Sequence, residues 1–110
     1  FKTKIDWKEQ QQLVKAEFHL DVMTRTAACE IPYGVMERPT HRNTSWQRAQ
    51  FEMCAHRFVD LSEPGFGVAL LNDGRYGHSI EDSFVSLTLL TSGVFPFPDA
   101  DKGLHELTYA

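Results

Sequence analysis

The sequence predicts an all-β fold, an antiparallel β-sandwich with at most short helical turns. Several short segments alternate apolar and polar residues with a period of two, which is typical of half-buried strands. Turn-forming residues separate these segments, and no segment has the apolar spacing of a long amphipathic helix. We therefore expect a single β-sandwich segment over residues 1–110.

The first third of the chain predicts three strands. Phe1–Lys8 alternates apolar and polar side chains. Leu13–Val22 also alternates and predicts a long strand, although the helix-forming residues of Lys8–Lys15 leave a helix as the competing interpretation. Thr26–Ile31 predicts a short strand that ends at Pro32, because proline cannot donate a ladder hydrogen bond.

From residue 32 to residue 50 the periodicity is lost. A loop of this length is uncommon in a compact domain unless it is functional or contains hidden structure. Val35–Arg38 predicts a short strand. Thr44 or Ser45 is expected to cap one helical turn that continues to Arg48.

Three further strands are predicted in the second half. Phe51–Leu61 is expected to be one central strand, because both of its faces are mostly apolar. Pro64 and Gly65 end it with a turn. Phe84–Leu90 and His105–Tyr109 are the last two predicted strands.

The stretch from Phe66 to His78 carries the strongest local pattern. Val68–Leu71 predicts a strand buried on both faces, because it is a short apolar run bounded by turn formers. Asn72–Gly74 predicts a tight reversal. Arg75, Tyr76 and His78 then lie at the tip, where they either serve recognition or form a merely solvated hairpin end.

Composition excludes two classes of partner. The net charge is −4 and the basic residues are scattered, so the chain lacks the basic stripe that nucleic-acid binding requires. The longest apolar run is four residues, far short of the roughly 20 that a membrane-spanning helix needs.

The two cysteines bear on the cellular location of the protein, and the chain ends bear on whether it belongs to a longer polypeptide. Cys29 and Cys54 are predicted to be reduced thiols, which favours a cytoplasmic location, although a single disulfide stays open. Phe1 and Ala110 both lie within strand-like patterns, so we expect the chain to be a segment of a longer multidomain protein.

The sequence predicts neither catalytic residues nor a metal site. Cys54 and His56 lie two apart on a predicted strand, but no further pair has zinc-ligand spacing. There is no GxSxG nucleophile motif. The acidic residues at loop ends are interpreted as turn caps and surface charge.

The polar segment from Glu37 to Trp46 is the richest candidate for binding. It combines cationic, imidazole, hydroxyl and amide groups with one tryptophan. That mixture suits sugars, whose apolar faces stack on aromatic rings, and it suits docking against another domain equally well.

Several longer segments of the sequence resemble one protein family. They are Ile5–Trp7 (IDW), Ala16–Phe18 (AEF), Ile31–His41 (IPYGVMERPTH), His41–Trp46 (HRNTSW), Cys54–Glu63 (CAHRFVDLSE), Gly67–Asp73 (GVALLND) and Tyr76-Gly77. Together they resemble the C-terminal β-rich region of the family 38 glycoside hydrolases, the α-mannosidases, of the cytosolic and bacterial type. The chain departs from the family pattern at Phe58, Phe66, Gly74-Arg75 and His78, where Trp, Tyr, Cys-Lys and Tyr are expected.

The resemblance implies a partial sandwich of the galactose-mutarotase-like, or supersandwich, type. It further implies a retaining mannosidase whose zinc ligands and Asp nucleophile lie on a catalytic domain preceding this region, so no catalytic or zinc residue is assigned here. The sandwich is expected to pack against that domain and to contribute loops near the active-site rim. The candidate substrate-proximal or interdomain residues are Arg38, His41, Arg42, Asn43, Trp46, Asn72, Asp73, Arg75 and Tyr76.

Two alternatives remain open. Besides the α-mannosidase segment, the chain is an independent carbohydrate-binding module that stacks sugars, including mannose-containing glycans, on Trp46, Tyr76 and Phe66, or it is a structural interface piece. Unpaired strand edges would in either case favour homo-oligomers.

Overall fold

A computed structural model describes all 110 residues, which form ten strands and one short helix. The elements are β1 (Lys2–Trp7), β2 (Leu13–His19), β3 (Thr26–Ile31), β4 (Gly34–Pro39), α1 (Ser45–Ala49), β5 (Met53–Cys54), β6 (Phe58–Glu63), β7 (Phe66–Leu71), β8 (Gly77–Glu81), β9 (Phe84–Thr91) and β10 (Gly103–Thr108). The predicted all-β class is confirmed. None of the helical structure is long and apolar enough to cross a bilayer.

Two four-stranded sheets form the sandwich. One has the order β2-β9-β8-β5 and the other β4-β3-β6-β7, and a separate ribbon pairs β1 with β10. All of these pairings are antiparallel. β2 and β5 are therefore the edges of the first sheet, and β4 and β7 are the edges of the second.

The core lies between the two sheets and contains 14 buried apolar residues. Cys29 of β3 and Val59 of β6 come from one sheet, and Val85 and Leu87 of β9 come from the other. Trp7 extends the core into the β1–β10 ribbon. Burial of each large apolar side chain contributes about 1.5–3 kcal/mol, so this layer is the main source of stability.

The prediction of one strand over Phe51–Leu61 was wrong. β5 pairs with β8 in the first sheet, whereas β6 pairs with β3 and β7 in the second. Between them the chain crosses from sheet to sheet, where the Ala55 N–H donates to the Tyr76 carbonyl (3.0 Å) and the His56 N–H to the Glu30 carbonyl (2.9 Å). The apolar character of both faces thus arises from two strands that contribute to one core from opposite sheets.

Two predictions for strands β2 and β7 also need correction. The Leu13–Val22 strand ends at His19, although Val22 is still buried. Val68–Leu71 is not buried on both faces, because β7 is an edge strand in which only Leu70 is buried. Its turn joins two sheets, since β7 and β8 do not pair, so the chain forms no hairpin there.

The aperiodic segment between residues 32 and 50 does contain the two predicted elements. β4 pairs with β3 along its whole length. Thr44 caps α1 in a reciprocal capping box with Gln47, in which each side chain accepts the other residue's backbone N–H. The segment then passes over the first sheet near β5 and β8.

Candidate functional site

Arg42 fixes the predicted polar segment to the first sheet. Its guanidinium forms an ion pair with Glu81 at 3.1 Å and donates to the Ser79 hydroxyl and to the Phe51 carbonyl, both at 3.3 Å. Only 25% of the Arg42 side chain is exposed. The side chain predicted to bind sugar or another domain is therefore engaged within its own chain.

Arg38 and His41 join Arg42 around a small internal cavity. The cavity measures about 20 Å³ and is also lined by Met53 and Ile80. The Arg38 Nε atom is buried and has no hydrogen-bond partner. A space of this size accommodates roughly one water molecule, so it does not hold a sugar ring.

A larger groove lies on the other side of His41. Its volume is about 400 Å³, and its lining residues, all polar, are Thr24, Arg25, Thr40, His41, Asn43 and Asp82. This volume is within the range of ordinary ligand sites. Both hydrogen-bond donors and hydrogen-bond acceptors line the groove, as recognition of a hydroxyl-rich ligand requires.

Thr40 holds the loops of this groove together, and the sequence did not single it out. Its N–H donates to the Arg25 carbonyl (3.0 Å), its hydroxyl to the Thr24 carbonyl (2.7 Å), and its carbonyl accepts from the Asp82 N–H (2.7 Å). Thr40 is only 2% exposed. No local sequence signal reveals this role, because its partners come from two distant loops.

Trp46 stands apart from both of these spaces. It lies on α1, which has no buried residue, and it is 81% exposed. The helix is nevertheless fixed, because the Gln47 carboxamide accepts from the N–H groups of Asn43 (2.9 Å) and Thr44 (3.1 Å). A large apolar ring is thus presented to solvent from an anchored backbone.

Asn72 is buried and shapes the second predicted segment. Its Nδ2 donates to the His56 carbonyl (2.8 Å), and its Oδ1 accepts from the N–H groups of Gly74 (3.0 Å) and Arg75 (2.7 Å). Such an Asx turn mimics a backbone turn. Gly74 has a φ of 133°, which favours glycine.

The other predicted site residues of this segment, Asp73, Arg75 and Tyr76, have different surroundings. Asp73 accepts a long hydrogen bond from the Thr108 N–H (3.4 Å) and lies beside the β1–β10 ribbon. Tyr76 is 53% exposed, and its ring lies 5.3 Å from the His56 ring. Arg75 is half-buried.

The two predicted segments are separate surfaces. No hydrogen bond, ion pair or cavity joins the residues of 38–46 to those of 72–76. Arg42 contacts β8 at Ser79 and Glu81, whereas Tyr76 precedes the first residue of that strand. Five strand residues span roughly 13 Å, so the segments lie toward opposite ends of β8.

Titratable groups elsewhere are structural in character. The Arg57 side chain and backbone N–H bind the Glu30 carboxylate and lower its pKa to about 2. Burial lowers the pKa of His78 and raises that of the Cys29 thiol. No three His, Cys, Asp or Glu side chains are grouped so that they could hold a metal ion; Cys54 is an exposed free thiol.

Solved structures show the same fold. The chain superposes on an alpha-mannosidase from Enterococcus faecalis V583 with a TM-score of 0.87 at 19% identity, covering 98% of this chain and 13% of that one. A second Enterococcus faecalis protein, described as belonging to glycosyl hydrolase family 38, gives a TM-score of 0.83 at 19% identity, with the same coverage.

Sequence relatives are closer. The chain is 50% identical over all 110 residues to Alpha-mannosidase 2C1 of Homo sapiens and 43% identical over 110 residues to Alpha-mannosidase G of Dictyostelium discoideum. It spans only 11% and 10% of the lengths of these relatives. Residues 1–99 match the family described as the glycosyl hydrolases family 38 C-terminal domain. The chain therefore belongs to the C-terminal domain family of the family 38 glycosyl hydrolases.

Proposed function

We propose that the chain serves as a C-terminal β-sandwich segment of an α-mannosidase, a retaining enzyme that hydrolyses terminal α-mannosides. The observation that carries this proposal is the family match over residues 1–99, together with identities of 42–50% over 96–100% of the chain to proteins named alpha-mannosidase. In this proposal the segment supports the catalytic domain and does not turn over substrate alone.

The two polar segments are the proposed contacts to that domain or to the rim of its active site. Trp46 is the strongest candidate anchor, because tryptophan is enriched among residues that dominate interface energies and this one is both exposed and held on a capped helix. His41 and Asn43 offer polar groups in the neighbouring groove of the same segment, and Arg75 and Tyr76 offer polar groups on the second segment. Arg42 and Asn72 hold the two segments in place from within the chain, and Arg38 and Asp73 are further proposed contacts.

The metal of the proposed enzyme, zinc or another divalent ion, is assigned to residues outside this chain. The side chains present do not fit such an ion, because no suitable donor cluster exists among them. We also propose a cytoplasmic location, which is supported by the free Cys29 and Cys54 thiols. Homo-oligomerisation through the β4 or β7 edge belongs to the same proposal.

A chimera tests the supporting role. The segment of human Alpha-mannosidase 2C1 that aligns with this chain is replaced by residues 1–110, and hydrolysis of an aryl α-mannoside is measured. We expect the chimera to retain activity. Trp46→Ala in the chimera is expected to reduce activity or domain association, whereas Tyr33→Ala, an exposed aromatic at the β3–β4 turn, serves as the matched control.

The isolated chain provides the complementary measurement. With zinc or cobalt added it is expected to give no turnover above the buffer blank, and turnover that survives repurification would contradict the assignment of the chemistry to another domain. The second candidate, a carbohydrate-binding module, is favoured by the exposure of Trp46 (81%), Phe66 (55%) and Tyr76 (53%). Calorimetry with mannose oligosaccharides separates the two, because millimolar or tighter binding by the isolated chain would favour the module.

A further inference from the structure

Arg38 is an arginine directed into the interior of the sandwich. It is the one residue of β4 that is not exposed. It lies directly opposite Ala27 of β3, which is 1% exposed, and directly opposite residues of an antiparallel pair place their side chains on the same face of the sheet. Burial raises the pKa of the Cys29 thiol, and the positive charge of Arg38 opposes that rise. The guanidinium therefore lies on the core side of the second sheet.

This guanidinium has no partner for its charge. Arg38 belongs to none of the ion pairs of the chain, and its buried Nε–H makes no hydrogen bond. Buried charges are normally paired, because removal of an ion from water is costly. Arg42 shows the contrast, since the Glu81 carboxylate lies 3.1 Å from its guanidinium. Arg38 is thus a cation between the sheets that lacks a counter-charge.

The space beside Arg38 fits a single atom. The cavity of about 20 Å³ there exceeds the roughly 10–15 Å³ that one water molecule needs. Arg38 and Pro39 line it from the second sheet, and Met53 and Ile80 line it from the first. Residues of the segment 41–50 complete its wall. Sulfate, phosphate and carboxylate groups have several heavy atoms and do not fit this volume, whereas a monatomic anion does.

The polar side chains around the cavity are mostly hydrogen-bond donors. The Gln47 Oε1 atom already accepts from two backbone N–H groups at 2.9 and 3.1 Å, so its amide Nε2 remains. This Nε2 lies 3.3 Å from the His41 Nε2. Because an amide nitrogen only donates, the His41 Nε2 is engaged as the acceptor. Gln50 is the one other polar side chain that adds an acceptor, and no Asp or Glu lines the cavity.

The excess of donors and of positive charge favours an anion over water. A bound water molecule needs acceptors for its own hydrogens as well as donors, whereas an anion only accepts. Glu81 offsets the charge of Arg42, so the excess charge at the cavity is that of Arg38. Met53 and Ile80 contribute apolar walls, which suit a weakly hydrated halide better than they suit water.

We propose that this cavity binds one chloride ion, which accepts from the Arg38 Nε–H and from the Gln47 amide. The ion supplies the counter-charge that Arg38 lacks. It also connects β4 to the segment 41–50, which contains α1. The site is independent of the proposed enzymatic role, because every group that it uses belongs to this chain.

Urea denaturation at constant total salt tests the proposal. Sodium chloride is exchanged stepwise for sodium gluconate, whose anion is too large for the cavity. Chloride that binds only the folded chain lowers the unfolding equilibrium constant by the factor 1 + [Cl⁻]/Kd, which is about elevenfold when chloride reaches ten times its Kd. We expect this dependence in the wild type.

Two variants separate the site from a general effect of salt. Arg38→Met removes the guanidinium and keeps most of the side-chain length, and it is expected to abolish the chloride dependence. Arg48→Met is the matched control, because it removes the same charge from an exposed position of α1 that does not line the cavity. It is expected to retain the dependence. Equal dependence in all three proteins, or none in the wild type, would overturn the proposal.

The linewidth of the chloride NMR signal measures binding directly and needs only the wild type, so it decides the question if Arg38→Met does not fold. We expect the folded chain to broaden the signal and added bromide to reverse the broadening by competition. Absence of broadening, or equal broadening by the folded and the urea-unfolded chain, would reject the site and leave the cavity to a water molecule.

Discussion

His78 is expected to make the stability of the sandwich depend on pH. It is 1% exposed, and its Nδ1 lies 3.2 Å from the Tyr76 carbonyl oxygen. Because a carbonyl only accepts, we infer that Nδ1 carries the proton of the neutral ring, which leaves the buried Nε2 without a partner. Burial lowers the pKa of His78 below its ordinary value of 6.5.

The sign and size of the effect follow from this difference. Between the pKa of folded His78 and 6.5, the unfolded chain binds more protons than the folded one. The free energy of unfolding therefore falls as the pH decreases through that interval, by at most about 1.4 kcal/mol per pH unit for one proton. Above this interval the ring is neutral in both states and contributes no pH dependence.

Urea denaturation from about pH 7.5 to about pH 5, on the wild type and His78→Leu, measures this term. The variant leaves the Tyr76 carbonyl satisfied, because that oxygen also accepts from the Ala55 N–H at 3.0 Å. We expect a shallower pH dependence in the variant. Burial of the unpaired Nε2 costs about 1–3 kcal/mol of folding free energy, so its removal offsets part of the packing lost in the variant at neutral pH. The same pH dependence in both proteins would refute the reasoning.

Three further predictions concern other parts of the chain. The exposed Cys54 is expected to react with a maleimide in the folded protein, whereas Cys29, which is buried and has a raised pKa, reacts only after unfolding; similar rates for both would contradict this. Arg42→Ala is expected to lower the free energy of unfolding by about 1–3 kcal/mol through loss of charged hydrogen bonds, with proteolysis between residues 42 and 52 as a second measurement. Trp46→Ala is expected to change stability by less than about 0.5 kcal/mol, whereas Leu61→Ala in the core costs about 2–5 kcal/mol; thermal denaturation compares the two.

Alternation predicted most of the strands because each strand of a sandwich has one face on the core. The same signal failed at residues 51–61, where two short strands of different sheets have continuous apolar character. The change of sheet depends on Ala55 and His56 bonding to Tyr76 and Glu30. Such long-range bonds leave no periodic trace in the sequence. The turn at Asn72 was predicted because its turn-forming residues are adjacent in the sequence. The connection that it makes between two sheets was not predicted, because that depends on long-range pairing.

The candidate site was predictable where its causes are local. The Thr44 cap and the Gln47 that completes the capping box stand three residues apart, so the sequence predicts the start of α1. The role of Arg42 depends instead on Ser79 and Glu81, which the fold brings to it from β8. The contact of the polar segments with a sugar or with another domain stays a prediction.

The two long sides of the sandwich differ in a way that bears on how the segment would fit into a larger enzyme. Near β5 and β8, the chain's own residues 40–52 cross the first sheet, and Arg42 fixes them there. At β2 and β7 an apolar cleft stays open, and Phe1, Phe18 and Tyr109 extend it as an aromatic cluster with ring separations of 5.4–6.3 Å. β2 and β5 are opposite edges of one sheet, so a contact made at this cleft would leave Trp46 free. A polar contact through the Arg38–Trp46 segment and an apolar contact at the β7 edge can therefore form at the same time, and substitutions in one are expected to leave the other intact.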